Sequence, residues 1–113
     1  MSLKGSCLCG AVAFEALGDP RGASVCHCGQ CRAQSGHLWA SARVPDPALN
    51  IEGEVRWYRS SAKARRGFCP VCGSFLFWKL ETDNTTSFAL GAIDGTTGMT
   101  LEKHIFVSDK GDY

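Results

Sequence analysis

The chain has no long hydrophobic run, no excess of either charge, no repeats and little helical periodicity. Its longest apolar runs, such as F-L-F-W at 75–78, have four residues, far short of the roughly 20 that a membrane-spanning helix needs. The opening M-S-L-K-G-S-C has no apolar stretch of the kind that marks an export signal. No membrane association is therefore expected, and the cytoplasm, where thiols stay reduced, is the default compartment. Lys and Arg number 12 against 11 Asp and Glu, for a net charge of +1. That balance gives no reason to expect nucleic acid or an anionic lipid surface as a partner. The H-E-x-x-H pattern of hydrolytic zinc helices is also missing.

What is present is an ordinary globular composition, 44% apolar and 10% aromatic in 113 residues. That length suits one domain, 1–113, which can bury roughly two thirds of its unfolded surface. Pro45-Asp46-Pro47 is the strongest punctuation. It is expected to separate two layers rather than two domains, since neither side could support a core alone. Strand-like alternation or β-rich composition recurs at 11–16, 37–44, 55–58, 66–68, 73–79, 86–90 and 104–107, with turn signals at 18–20, 53 and 94–95. Helix is expected only as one or two turns over 29–34 and a single turn opening at Asp46-Pro47. The expected fold is all-β: several small coiled sheets with little helix, cross-linked by zinc.

Seven cysteines are an odd number, so complete pairing within the chain is impossible. They fall as Cys7-x-Cys9, Cys26-x-Cys28-x-x-Cys31 and Cys69-x-x-Cys72. Thiols two residues apart on a strand do not meet disulfide geometry but do face one side, as a metal clamp requires. Cys7-Leu8-Cys9-Gly10 and Cys69-Pro70-Val71-Cys72-Gly73 read as two tight turns, each closed by a glycine that can take positive φ. Facing each other they would give a tetrahedral site of four thiolates, the donor set of structural zinc. The bland alternative is four buried cysteines acting as small apolar residues.

Cys26, Cys28 and Cys31 remain. Three protein donors with a fourth position open are the ligand count of a catalytic zinc. Three thiolates leave such an ion a soft, mild Lewis acid, suited to binding and activating an incoming thiol. His27 would point to the opposite face. Competing readings are a closed structural site completed by His104 or His37, and a metal-free redox sensor. An iron–sulfur cluster normally takes four cysteines. A site closed by a fourth protein ligand would suit a non-catalytic module for protein contacts.

Together these segments resemble the glutathione-dependent formaldehyde-activating enzyme family, which includes the centromere protein V-like domains. The matching pieces are G-S-C-L-C-G-A-V at 5–12, C-H-C-G-Q-C-R at 26–32 and F-C-P-V-C-G-S at 68–74, with a weaker match from 91–94 to 104–107. The resemblance implies coiled β-sheets with a structural zinc on Cys7, Cys9, Cys69 and Cys72. It implies a second, catalytic-type zinc on Cys26, Cys28 and Cys31, so two ions per chain. It also implies carbon–sulfur lyase chemistry, the namesake reaction joining formaldehyde to glutathione. Carboxylates of such a thiol need basic partners. Arg32 and Arg65 are the named candidates, with Arg43, Lys63 and Arg66 also near. Trp39, Trp57 and Trp78 are expected to cover sheets or wall a pocket.

Overall fold

The computed structural model describes residues 2–113. Ten strands form two sheets, and the one α-helix among the described residues is short. The strands are β1 (Leu3–Ser6), β2 (Ala13–Ala16), β3 (Arg21–Cys26), β4 (Trp39–Pro45), β5 (Leu49–Glu52), β6 (Arg56–Arg59), β7 (Ala64–Phe68), β8 (Phe75–Leu80), β9 (Thr85–Ala89) and β10 (Lys103–Ile105). The smaller sheet runs β1-β2-β5, and the larger runs β10-β3-β4-β9-β8-β7-β6. Pairing is antiparallel throughout except for β10, which lies parallel to β3. The helix α1 spans Gly29–Ser35.

The all-β expectation holds, and so do most of the expected strands and both helical turns. Strands β1, β3 and β5 lie outside the expected segments: L-K-G-S and L-N-I-E are short and polar, and R-G-A-S-V-C is mostly small residues without clear alternation. The prolines act as expected. β4 ends at Pro45 in the large sheet, a single 3-10 turn spans Asp46–Ala48, and β5 then joins the small sheet.

The core lies between the sheets. Leu3, Val12, Phe14 and Ala16 meet Ala42, Val44, Leu76, Phe77 and Phe88. The Phe14 ring sits edge-on to Phe77 at 5.1 Å. Strand period two sends alternate residues of the large sheet to its opposite face. There a second cluster forms from Cys26, Cys31, Trp39 and Ala89, with Phe75 and Trp78 packed against it. One irregularity sets this division. The β7–β8 register runs Gly67↔Phe77 and then Phe68↔Phe75, leaving Leu76 as a bulge. Leu76 and Phe77 therefore both face the main core, while Phe75 turns to the other face.

Asp46 fastens the crossover. Its carboxylate accepts from Lys79 Nζ at 2.6 Å and from Thr86 Oγ1 at 2.7 Å. Lys79 is buried and donates also to the carbonyls of Thr85 and Asp83. Burial pushes the Asp46 carboxyl up, but the Lys79 ammonium and the Thr86 hydroxyl outweigh it and hold its pKa below the usual carboxylate value. A carboxyl depressed by folding stabilises the fold above its unfolded pKa, and loses that contribution as pH falls through the folded one. Asp46→Ala should cost about 1–2 kcal/mol at neutral pH, discounted because the carboxylate is partly exposed. Urea denaturation of both proteins should show the difference shrinking once acid takes the wild type below the carboxylate range. A difference independent of pH would mean the ion pair contributes nothing.

Candidate metal and thiol site

The turn between β1 and β2 carries Cys7 and Cys9; the turn between β7 and β8 carries Cys69 and Cys72. All four sulfurs lie within 4.8 Å of one another. Gly10 and Gly73 follow these turns with φ of 83° and 80°, the left-handed conformation each turn needs. A Cβ at either would meet nothing within 4 Å, so conformation rather than space demands glycine. Backbone amides point at sulfur: Val12 N to Cys7 Sγ at 3.2 Å, Val71 N and Cys72 N to Cys69 Sγ at 3.4 and 3.5 Å. Ser74 Oγ lies 3.2 Å from Cys72 Sγ.

These sulfurs fit a bound ion rather than a disulfide. Cys7 Sγ and Cys9 Sγ are 3.6 Å apart, and Cys9 Sγ and Cys69 Sγ 3.7 Å. The edges of a tetrahedron with zinc–sulfur bonds of 2.3 Å are about 3.8 Å, whereas a disulfide bond is about 2.0 Å. The thiols also compete for charge. The Ser74 hydroxyl and amide lower Cys72 to about 5. The Ala11 amide pulls Cys9 down, but burial and the neighbouring sulfurs push it up to about 11. A cation among them would let all four ionise together.

The second cluster sits at the end of β3 and the start of α1. Cys26, Cys28 and Cys31 present their sulfurs within 4.8 Å of one another, and among the described residues no imidazole or carboxylate joins the group. Cys26 pairs with Trp39 across β4 and with Ile105 across β10. Cys28 is the N-cap of α1, its sulfur accepting from Cys31 N at 3.4 Å. That cap ties the turn which brings Cys31 back toward Cys26. Burial raises Cys26 to about 12 despite a hydrogen bond from the Cys28 amide. Burial also raises Cys31, with Arg66 opposing. For Cys28 the burial effect is outweighed by the Cys31 amide, the two neighbouring sulfurs and Arg66, and its pKa falls. Three thiols at this spacing suit a thiophilic ion such as zinc and leave it one donor short of a tetrahedron.

A cavity of about 850 Å³ opens over this cluster, and all three cysteines line it. Its lining includes the outer face of the large sheet. One row of register partners crosses that face: Arg43, Ser87, Trp78 and Arg66. Ser24 and Ser41 pair beside it, and Trp39 stacks on Phe75 with ring centroids 4.2 Å apart.

The other sequence candidates lie elsewhere. Arg32 Nε donates to the carbonyls of His27 and Asp109 at 3.3 and 3.1 Å. Arg65 lies over the Trp57 ring at 4.5 Å. Neither lines the cavity; the arginines that do are Arg43 and Arg66. His27 faces away from the cluster as expected and meets His104 instead, Nε2 to Nδ1 at 2.9 Å. His37 packs near Tyr113. Trp39 and Trp78 wall the cavity, whereas Trp57 packs on the main core.

Two thiol clusters, one clasping turns distant in sequence and the other flooring a cavity, define a β-protein with two sites able to hold metal. Residues 2–109 match the glutathione-dependent formaldehyde-activating enzyme family, and the chain belongs to that family. It is 30% identical over 112 residues to an uncharacterized lyase of Schizosaccharomyces pombe, covering 96% of this chain and 81% of that protein. The fold is similar to the crystal structure of a Rhodobacter sphaeroides protein, with a TM-score of 0.67 at 23% identity, covering 89% of this chain and 98% of the other. No helix among the described residues is long and apolar enough to cross a membrane.

Proposed function

We propose that this chain is a zinc-dependent carbon–sulfur lyase that makes or breaks the adduct of a small thiol, such as glutathione, with a small carbonyl compound, such as formaldehyde. The observation that carries this reading is the three-sulfur cluster on the floor of the cavity, with no fourth His, Cys, Asp or Glu among the described residues grouped with it. On this reading Cys7, Cys9, Cys69 and Cys72 hold a structural zinc, and Cys26, Cys28 and Cys31 hold a second. That second ion, when bound, supplies a soft Lewis-acidic position that favours the thiolate form of an incoming thiol.

The chain's own residues do the rest. Trp39 and Trp78 give the cavity apolar walls, which exclude water from one side of the reacting sulfur. Ser24, Ser41 and Ser87 offer hydroxyls to the polar body of a thiol, and Arg43 offers a cation to its carboxylate. A reducing compartment such as the cytoplasm suits seven free thiols. A net charge of +1 gives no argument for nucleic acid as a partner.

Calorimetric titration of zinc-loaded protein with glutathione, cysteine and 2-mercaptoethanol tests the reading. Binding should favour glutathione and should disappear when the second ion is removed. Replacing that ion with cobalt should give a sulfur-to-metal absorption band that changes as thiol is added. Binding indifferent to the metal, or a cobalt spectrum unmoved by thiol, would sink it in favour of an interaction module or a redox sensor.

A further inference from the structure

Arg66 is buried, 4% exposed, and has no carboxylate partner. The ion pairs among the described residues are Arg59–Glu81 and Lys79–Asp46. A guanidinium so enclosed normally has a negative partner. Here Nη1 donates to Cys31 Sγ at 3.6 Å and to Gln34 Oε1 at 3.3 Å, while the guanidinium lies over the Phe75 ring at 5.3 Å. Nε finds no acceptor at all. The other buried side-chain donor without an acceptor among the described residues is Trp39 Nε1, and Trp39 stacks on the same Phe75 ring. Buried donors are nearly always satisfied. Two exceptions in one stack, both from residues that line the cavity over the three cysteines, give that wall more donors than acceptors.

Resting on the proposed thiol–carbonyl chemistry, we infer that Arg66 is a catalytic residue that binds the carbonyl oxygen and stabilises the charge it gains. As the adduct forms, an electron pair of the thiolate sulfur makes the carbon–sulfur bond. The π pair of the carbonyl moves onto oxygen, and that oxygen takes up, through solvent, the proton the thiol released. Nothing is oxidised or reduced. The breakdown direction reverses each move. The new charge appears on an atom two bonds from the reacting sulfur. A guanidinium beside Cys31 is positioned to meet it, in a cavity wall where water competes poorly. Of the two residues, the charged one, whose Nη1 lies against the cluster, suits an alkoxide.

The experiment compares wild type, Arg66→Lys and Arg66→Met, each loaded with zinc. Metal content and the cobalt spectrum should match in all three, and glutathione should bind within about threefold of wild type. Turnover of the glutathione–formaldehyde adduct should fall about 100-fold in Arg66→Met, as for loss of one oxyanion donor. Added guanidinium should restore part of it. A stable probe gives a readout apart from turnover. S-carboxymethylglutathione should bind wild type at least about tenfold more tightly than S-ethylglutathione, and Arg66→Met should lose that preference. Loss of metal from both variants would overturn the inference, because Arg66 would then serve the sulfurs rather than the substrate. Unchanged turnover or an unchanged preference in a metal-replete Arg66→Met would overturn it alone. Failure of the wild type to bind glutathione would overturn it together with the thiol chemistry beneath it.

Discussion

Cys69→Ser should unfold the entire domain, and so should a strong chelator acting on the wild type. Cys69 is fully buried, belongs to the main core, and accepts hydrogen bonds from the Val71 and Cys72 amides. Its cluster joins the β1–β2 turn to the β7–β8 turn, so one ion would close most of the first half of the chain onto the second. Structural zinc contributes on the order of 10 kcal/mol at neutral pH. The whole stability of a small domain is about 5–15 kcal/mol. Losing one thiolate therefore removes most of the margin. Near-ultraviolet dichroism, which reports the packing of Trp57 on Phe77, should lose its native signal in the variant. The expectation fails if the variant keeps a cooperative melt within a few degrees of wild type.

Cys28→Ser should do the opposite: leave the domain folded, reduce the metal content from two ions to one, and weaken glutathione binding more than about 100-fold. The folding half of that expectation comes from the helix cap. Cys28 caps α1 through its side chain, and serine is among the best residues for that position. The substitution replaces one capping acceptor with another at a partly exposed site, so stability should change by no more than about 1 kcal/mol. The binding half comes from the donor count, since two thiolates hold zinc far less firmly than three. Metal analysis, a thermal melt and the glutathione titration together decide the matter. Should Cys28→Ser also unfold the protein, the second cluster is structural and the proposed division of labour between the two sites is wrong.

Much of this was legible in the sequence because cysteine spacing is a strong local signal. C-x-C and C-x-x-C turns followed by glycine specify their own geometry, and the two groups in space are those the spacing suggested. The strands with clear alternation were legible for the same reason. Which of the two β7 arginines faces the cavity was not. Arg65 and Arg66 are neighbours on β7, and on a strand one step in sequence exchanges the two faces of the sheet. Nothing in A-R-R-G-F tells which arginine faces the cysteines. Register with β8 decides it, and that register contains the Leu76 bulge. A bulge leaves no reliable mark on a single sequence. Simple alternation over F-L-F-W-K would put Phe75 and Phe77 on one face, whereas the bulge turns Phe75 to Trp39 and Arg66. Arg32 was a natural candidate because it follows the cluster directly. The helix turns it instead toward backbone carbonyls, an outcome of α1 packing that adjacency in sequence cannot convey.

The parallel strand β10 has a consequence for synthesis. All four sulfurs of the first cluster are present in a nascent chain once residue 72 has been added, and the cysteines of the second even earlier. The strand that pairs beside Cys26, however, is made after all seven cysteines. Because chains fold as they emerge, amino end first, the clasp between the two turns can capture its ion while the edge beside Cys26 is still bare. The cavity over the second cluster is thus finished only after β10 has been added, on a scaffold whose first four sulfurs are already in reach of one another.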